Sequence, residues 1–304
     1  MDEAVRRKAH DALFDVNYWT SDTILSHPDF AQARADYVDR VLALYCGDPF
    51  LNKLLMEGVR MVIFAVAICM EAGYREDQRD TWPTIGNLKR ALSVFGLASP
   101  RRIEQVVGRL VQTRFLESRM SCVDRRVRLL IPTAKMIEHD RDWLIAHYAP
   151  LATLFGAEDY ASVLDGDRRF QLAQRRVATG FFVQSAMVLQ RNPDIMLFLS
   201  RDAGIFVLLE LVKRSQEQGT PVVDLSLSDL GRRFSISRTH VRQLIQAAAD
   251  GGLIELNQVE RRITLMPRVM QSLDRFIADG MSNHDLTGAA ARRELSLVAN
   301  HPAP

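Results

Sequence analysis

One helix–hairpin pattern occurs twice in this chain, and it restricts the folds that the chain can adopt. Ser99 and Pro100 suit the N-cap and the first position of a helix. The apolar residues that follow recur at helical spacing: Ile103, Val106, Val107, Leu110 and Val111. Two segments with apolar alternation, 115–120 and 123–131, then predict a β-hairpin with its turn at Ser121-Cys122. A helix followed by such a hairpin is the outline of a winged helix–turn–helix.

The pattern returns from Ser237 onward. It predicts a helix over 238–250 that ends at Gly251-Gly252, and then a second hairpin over 253–266. The tip of that hairpin, Glu260-Arg261-Arg262, matches Asp124-Arg125-Arg126 in the first. A self-contained unit repeated at long period indicates duplication within one chain. The predicted fold class is therefore mainly α with small β-hairpin wings, a duplicated winged helix–turn–helix with pseudo-two-fold symmetry.

The duplication divides the chain of 304 residues into five segments. In order, these are an N-terminal helical segment (1–29), a first winged-helix copy with flanking helices (30–150), a connector (151–169), a second copy with flanking helices (170–279) and a tail (280–304). The tail is polar and Ala-rich, and we expect it to be disordered.

Charge supports a local argument rather than a global one. The formal net charge is only +2, but arginines outnumber acidic residues in both 99–131 and 232–268. Basic charge concentrated on the two repeated units is typical of a protein that binds a polyanion. The candidate DNA-binding residues are the polar ones expected on the outer faces of these units: Ser99, Arg101, Arg102, Gln105, Arg109, Asp124, Arg125, Arg126, Ser237, Arg238, Thr239, His240, Arg242, Gln243, Gln246, Arg261 and Arg262.

These residue types suit duplex DNA. A helix fits the major groove, where Arg pairs with guanine and Gln with adenine. The recognition helices are predicted at 100–114 and 238–250, and the wings at 119–128 and 257–264 would lie near minor grooves. The serine N-caps and adjacent helix N-termini suit phosphate binding. Because His240 stands where Arg102 stands, the two half-sites are expected to differ.

The first hairpin resembles the wing of the multiple-antibiotic-resistance-regulator (MarR-like) family. The resemblance lies in residues 124–135, DRRVRLLIPTAK. It implies a transcription regulator in which Arg126 enters a minor groove and Asp124 steadies it. Glu260 and Arg262 would take those places in the second copy, which departs from the pattern by its Glu and by lacking a Thr after its Pro. Family members are usually single-unit chains that dimerise, so two units here imply an intramolecular pseudo-dimer.

Two other functions stay open. The first is a protein–protein interaction adaptor on the same scaffold. The second is a ligand-responsive regulator with a pocket in the helical core, near Met61, Phe64 and Met70, although such residues at helical spacing are more often simply core.

The sequence lacks the motifs of an enzyme. It contains no phosphate-binding Gly loop, no metal-ligand cluster and no nucleophile elbow, so we expect no catalysis, metal or cofactor. His139-Asp140 is expected to be a surface pair. The start of the chain has no signal-like apolar run, and the apolar segment 61–70 is too short to span a bilayer. We therefore expect a cytoplasmic, nucleoid-associated protein, without membrane contact, that acts as a monomeric pseudo-dimer or a homodimer.

Overall fold

Helices form most of the protein, and small antiparallel sheets complete it. The structure is a computed structural model that describes residues 8–45 and 54–300. In chain order the helices are α1 (Ser21–Leu25), α2 (Phe30–Ala43), α3 (Gly58–Ala72), α4 (Ile85–Ser93), α5 (Pro100–Gln112), α6 (Ala134–Phe155), α7 (Ala161–Leu164), α8 (Arg168–Ala178), α9 (Phe182–Arg191), α10 (Pro193–Leu199), α11 (Gly204–Gln218), α12 (Leu227–Phe234), α13 (Arg238–Asp250) and α14 (Pro267–Asn300). The strands are β1 (Ala9–Asp11), β2 (Val16–Tyr18), β3 (Leu116–Met120), β4 (Arg128–Pro132), β5 (Val222–Asp224), β6 (Ile254–Asn257) and β7 (Arg262–Leu265).

The two predicted recognition helices are present as α5 and α13. The Ser99 hydroxyl accepts a hydrogen bond from the backbone N–H of Arg102 at 3.3 Å, and Ser237 caps α13 in the same way through His240 at 3.1 Å. The apolar stripe of each helix is buried as its spacing predicts: Ile103, Val106, Val107 and Leu110 in α5, and Val241, Leu244, Ile245 and Ala248 in α13. The helices α4 and α12 precede them, so each half of the chain has two short helices followed by a hairpin.

Both hairpins form, but their details differ from the prediction. The tip of the first spans 121–127 rather than two residues, because the N–H of Ser121 donates to the carbonyl of Val127 at 2.9 Å. The second hairpin gains a third strand, since β5 pairs with β7. In the first half, a single hydrogen bond from Leu130 N to Pro83 O takes the place of that strand. The pattern did not predict β5, which is only three residues long.

The helices pack both within each half of the chain and between the two halves. In the first half, 30–150, α2 lies against α6, and in the second, 170–300, α8 lies against α14. Between the halves, α3 packs on α8 and α11 packs on α2. Just before α3 and α11, the N–H of Ala203 donates to the carbonyl of Met56. One hydrophobic core therefore runs through both halves. The repeated order of elements is consistent with duplication, and the duplicated winged helix itself stays a prediction.

The apolar segment around 61–70 lies in α3, as a buried helix. Ile63, Val66 and Ile68 are almost completely enclosed by neighbouring elements. No helix within 8–45 and 54–300 combines the length and the apolarity needed to cross a bilayer.

The prediction of a helical segment at 1–29 is wrong over most of its described part, because 9–18 forms the hairpin β1–β2. The Asp11 carboxylate accepts from the N–H groups of Leu13 and Phe14, which closes the turn locally. The Phe14 ring stacks on Phe181 with centroids 4.5 Å apart. The turn hydrogen bonds and this distant aromatic contact therefore outweigh the helical spacing of apolar residues in the sequence. Within residues 8–29 only α1 is helical. Residues 1–7 lie outside the described part.

The prediction of a disordered tail at 280–304 is also wrong as far as Asn300, because α14 continues to that residue. Asp285 is buried and accepts from Trp19 N at 2.7 Å and from the Tyr160 hydroxyl at 2.8 Å. At Gly288 the helix passes so close to Tyr148 that a Cβ would lie 2.8 Å from its hydroxyl oxygen. The small residues of this segment thus permit close packing against α6; residues 301–304 lie outside the described part.

Two substitutions in α14 test this packing. Both Gly288→Ala and Gly280→Ala should gain helix propensity, about 1 kcal/mol each. A methyl group at Gly280 meets no atom within 4 Å, whereas one at Gly288 meets the Tyr148 ring. We expect Gly280→Ala to raise the free energy of unfolding and Gly288→Ala to lower it by about 1–3 kcal/mol, measured by urea denaturation. Equal effects at the two positions would contradict a packed C-terminal helix.

Candidate nucleic-acid interface

The outer faces of α5 and α13 carry the polar residues that the sequence placed there. The exposed ones are Arg101, Gln105 and Arg109 on α5, and Arg238, Thr239, Arg242, Gln243 and Gln246 on α13. Among the described residues, none forms an ion pair with Arg101, Arg109, Arg238 or Arg242. Each helix therefore presents two uncompensated guanidinium groups to solvent. The oxygens of Ser99 and Ser237 serve as N-caps, so any phosphate contact would use their O–H groups as donors.

Arg102 and His240 are half-buried rather than exposed, and the scaffold holds both. The Arg102 Nη2 donates to the Glu57 carboxylate at 2.7 Å. The His240 Nε2 lies 3.0 Å from the backbone oxygen of Asp202. Arg102 and His240 occupy equivalent positions in the two copies. Arg102 is held by a carboxylate and His240 by a backbone oxygen.

A charged cluster connects these two anchors. Glu57 Oε2 also lies 2.7 Å from Arg60 Nε, and Arg60 Nη2 lies 2.8 Å from the Asp202 carboxylate. The first turns of α5 and α13 are therefore linked through Glu57, Arg60 and Asp202, at the point where α3 and α11 begin. Sequence reasoning missed these three residues, because no local pattern marks a cluster assembled from two distant segments.

The first wing presents Arg126, whose side chain is 91% exposed. Its guanidinium donates to the Asp124 carboxylate at 3.2 Å, and its backbone N–H does so at 3.1 Å. Arg79 reaches the same carboxylate at 3.1 Å. The hydrogen bonds from Arg126 hold the pKa of Asp124 below its ordinary value. Asp124 therefore fixes the wing tip and aims the arginine, while Arg125 beside it is exposed.

The second wing is built differently. Arg262 Nε donates to Asp224 on β5 at 3.1 Å, and its Nη1 lies 3.6 Å from Glu260. Arg261 is exposed and adopts a positive φ of 54° at the tip. The extra strand β5 thus supplies the carboxylate for Arg262 that Asp124 supplies for Arg126 in the first wing. Both wing arginines thus have carboxylate partners, but the hydrogen bond of Arg262 goes to Asp224 rather than to Glu260, the partner that the resemblance implied.

A cavity of about 440 Å³ lies in the core between the two halves. At its wall, Arg175 on α8 makes a bidentate ion pair with Asp140 on α6, at 2.6 and 3.0 Å. The side chains of this pair are only 6% and 3% exposed. The prediction of His139-Asp140 as a surface pair is therefore wrong, because the matching arginine lies on the other half of the chain and draws the carboxylate inward.

The histidines around this cavity are neutral at pH 7. Burial lowers the pKa of His147 to about 4, and it lowers the pKa of His284 well below its ordinary value. The pKa of His139 is also lowered by burial. His147 stacks on Trp143 with centroids 3.6 Å apart, and its Nε2 lies 3.3 Å from the Tyr37 hydroxyl. The cavity is thus surrounded by aromatic rings and uncharged imidazoles.

Comparisons with protein-family models, curated proteins and solved structures found no match to this chain. The likeness of the first wing to the MarR-like family therefore stays a prediction.

Acid titration tests the burial of His147. Above pH about 6.5 its imidazole is neutral in both the folded and the unfolded chain, so its contribution to stability is complete. As the pH falls from about 6.5 to about 4, the unfolded chain takes up a proton that the folded chain does not, so the free energy of unfolding decreases. Because His147→Gln removes this titrating group, the free energy of unfolding should decrease less steeply as the pH falls. The difference in slope should correspond to one proton, measured by urea denaturation across that range. An unchanged slope in His147→Gln would refute the assignment.

Proposed function

We propose that this protein is a sequence-specific, double-stranded DNA-binding transcription regulator, acting as an intramolecular pseudo-dimer of winged helix–turn–helix units. The observation that carries this proposal is the repetition, in each half, of an exposed cationic helix face beside a wing arginine held by a carboxylate. A single such face is often only a solvated surface. Two of them occur in one chain, with their first turns linked through one charged cluster, and this repetition supports a polyanion with a repeating groove as the partner. This role would place the protein on the nucleoid in the cytoplasm.

In this proposal α5 and α13 enter successive major grooves. Arg101 and Arg109 on α5, and Arg242 and Gln243 on α13, supply donors for base edges and phosphates. Arg126 and Arg262 lie near the flanking minor grooves, whose narrow width favours guanidinium groups. Since Arg101, Arg109 and Arg242 have no acidic partner among the described residues, their contacts with phosphate need no internal ion pair to break.

Duplex binding should depend on these arginines. DNA fragments selected from random duplexes supply the site, and binding to it should weaken steeply with salt. We expect Arg101→Ala and Arg242→Ala each to lower affinity by about 5- to 150-fold, equivalent to about 1–3 kcal/mol, measured by fluorescence anisotropy. Arg126→Ala should also weaken binding.

Arg169→Ala is the matched control, because this arginine is 86% exposed on α8 and lies outside both helix–hairpin units. It should retain nearly wild-type affinity. Equal losses for the control and the interface variants would indicate non-specific charge attraction, and unaltered affinity in all the interface variants would remove the basis of the proposal.

The charged cluster predicts a fixed distance between half-sites. Because Glu57, Arg60 and Asp202 hold the first turns of both recognition helices, the spacing of the two half-sites is set by the protein. Inserting about five base pairs, half a helical turn, between the half-sites should therefore abolish two-site binding, whereas inserting about ten should restore part of the geometry. Footprinting on these duplexes measures the result. Equal affinity for all spacings would show that only one half contacts DNA.

A protein-interaction adaptor is the second candidate, and the wing tips favour it. Met120 and Val123 on the first wing are more than half exposed, and Val259 on the second is 95% exposed. Apolar side chains at such tips suit contact with another protein. Two results would favour the adaptor. Duplex binding would show no dependence on salt concentration, and a protein partner would bind the wild-type chain but not a Met120→Ser/Val123→Ser variant.

A further inference from the structure

We propose that the cavity between the two halves binds a neutral, largely aromatic small molecule that carries a hydrogen-bond donor. The cavity lies among α3, α6, α8 and α14, so both halves of the chain contribute to its wall. Its volume of about 440 Å³ falls in the range of sites for small organic ligands.

The wall is dominated by aromatic and aliphatic side chains. Tyr37, Phe64, Trp143 and Phe276 are among the lining residues. The Trp143 ring already stacks on His147, and Phe64 meets His139 edge to face. Faces and edges of rings at these positions favour a planar aromatic occupant, which can stack or pack edge to face in the same way.

Two buried polar atoms on this wall have no hydrogen-bond partner within residues 8–45 and 54–300. They are Gln174 Oε1 and His284 Nδ1, on residues that are only 1% and 9% exposed. The Gln174 amide is oriented by its Nε2, which donates to Thr287 Oγ1 at 3.0 Å, so its oxygen is left as an acceptor. Leaving buried polar atoms unpaired costs about 1–3 kcal/mol each, and a ligand with a donor group would recover part of that cost.

The charges on the wall are already compensated. Asp140 is neutralised by Arg175 and also accepts from Gln171 at 2.8 Å. Glu57, at the edge of the cavity, is paired with Arg60 and Arg102. The other polar side chains of the wall, among them Ser185, Asn283 and the imidazoles, are uncharged, so a charged ligand would have no counter-ion there and would lose its hydration. The site therefore selects an uncharged molecule.

The cavity also touches the part of the molecule that positions α5. Phe95 and Leu97, in the turn between α4 and α5, line it, as does Glu57. Glu57 holds the first turn of α5 through Arg102 at 2.7 Å. If α5 can take two positions, an occupant that binds more tightly in one of them would shift the equilibrium towards that position of α5. Coupling of the cavity to DNA affinity follows, and this consequence rests on the proposed function.

Three naphthalene compounds test the chemistry of the site on the full chain. 2-Naphthol is neutral and has a hydroxyl donor, 2-methoxynaphthalene lacks the donor, and 2-naphthoate is an anion. We expect saturable binding of 2-naphthol by calorimetry, with 2-methoxynaphthalene about five- to tenfold weaker for want of one hydrogen bond. 2-Naphthoate should be weaker still. Absence of saturable 2-naphthol binding, or tighter binding of the anion, would overturn the proposal.

Variants of the cavity wall locate the site. Gly280 lines the cavity, and a side chain there points into open space. Gly280→Phe should fill the cavity and abolish 2-naphthol binding, whereas Arg169→Ala, on the exposed side of α8 and outside the cavity wall, should keep it. Gln174→Met is the second variant, and it should reduce 2-naphthol affinity to that of 2-methoxynaphthalene. Wild-type affinity in both Gly280→Phe and Gln174→Met would place the ligand elsewhere and overturn the assignment.

The coupling is measured separately. Duplex affinity of the wild-type chain is compared with and without saturating 2-naphthol, and a change of about fivefold or more is expected, in line with usual couplings between sites. In Gly280→Phe the same addition should have no effect. An unchanged duplex affinity in the wild type would overturn the coupling alone. Failure to bind any duplex, with 2-naphthol binding retained, would instead overturn the proposed function and leave the ligand site standing.

Discussion

The buried ion pair between Asp140 and Arg175 is the interaction on which the arrangement of the two halves depends. It joins α6 of the first half to α8 of the second, and both side chains are almost entirely removed from water. Removing one partner of such a pair usually costs about 3–5 kcal/mol, because the other charge stays buried without compensation. Gln171 adds a hydrogen bond to the same carboxylate. An arrangement of the halves that separated Asp140 from Arg175 would therefore leave a buried charge without its partner.

The crossed packing of helices reinforces that register. Since α3 lies on α8 and α11 lies on α2, neither half encloses its own apolar surface without the other. A hinge between two independent units is thus inconsistent with the shared core. The outer helices α5 and α13 are carried on this core as fixed attachments, and the cluster of Glu57, Arg60 and Asp202 connects their first turns. Rigidity of the centre is what gives the two exposed faces a defined relation to each other.

Sequence pattern predicted what local spacing determines. The N-caps Ser99 and Ser237, the buried stripes of α5 and α13, and the exposure of Arg101 and Arg242 all follow from periodicity and capping, and the structure confirms them. The sequence pattern gave wrong predictions where a contact between distant segments determines the secondary structure. The hairpin at 9–18 and the helix through 280–300 are stabilised by each other, through Trp19 and Asp285, and neither shows a strong local signal.

The same limit applies to the candidate sites. The pairing of Arg126 with Asp124 was implied by the resemblance of the first wing to the MarR-like family, and the structure places the two side chains in contact. The pairing of Asp140 with Arg175 could not be predicted, since the sequence gives no indication of which helices meet. The open alternative of a pocket near Met61, Phe64 and Met70 identified part of the cavity, because Met61 and Phe64 line it. Composition even pointed the wrong way for the C-terminal segment, because small residues signal both disorder and close helix packing. Gly288, in contact with Tyr148, shows which of the two applies here.

For a DNA-binding role the two halves are not equivalent. Arg102 is held by the Glu57 side chain, so this arginine can reach DNA only by exchanging one anion for another. Arg60 would then remain beside Glu57 and limit the cost of that exchange. The imidazole of His240 lies against the backbone oxygen of Asp202, and releasing it from there breaks no ion pair. In that role the first half would carry a competition between Glu57 and DNA for Arg102 that the second half lacks. Glu57 also borders the central cavity, so an occupant of the cavity would lie next to that competition.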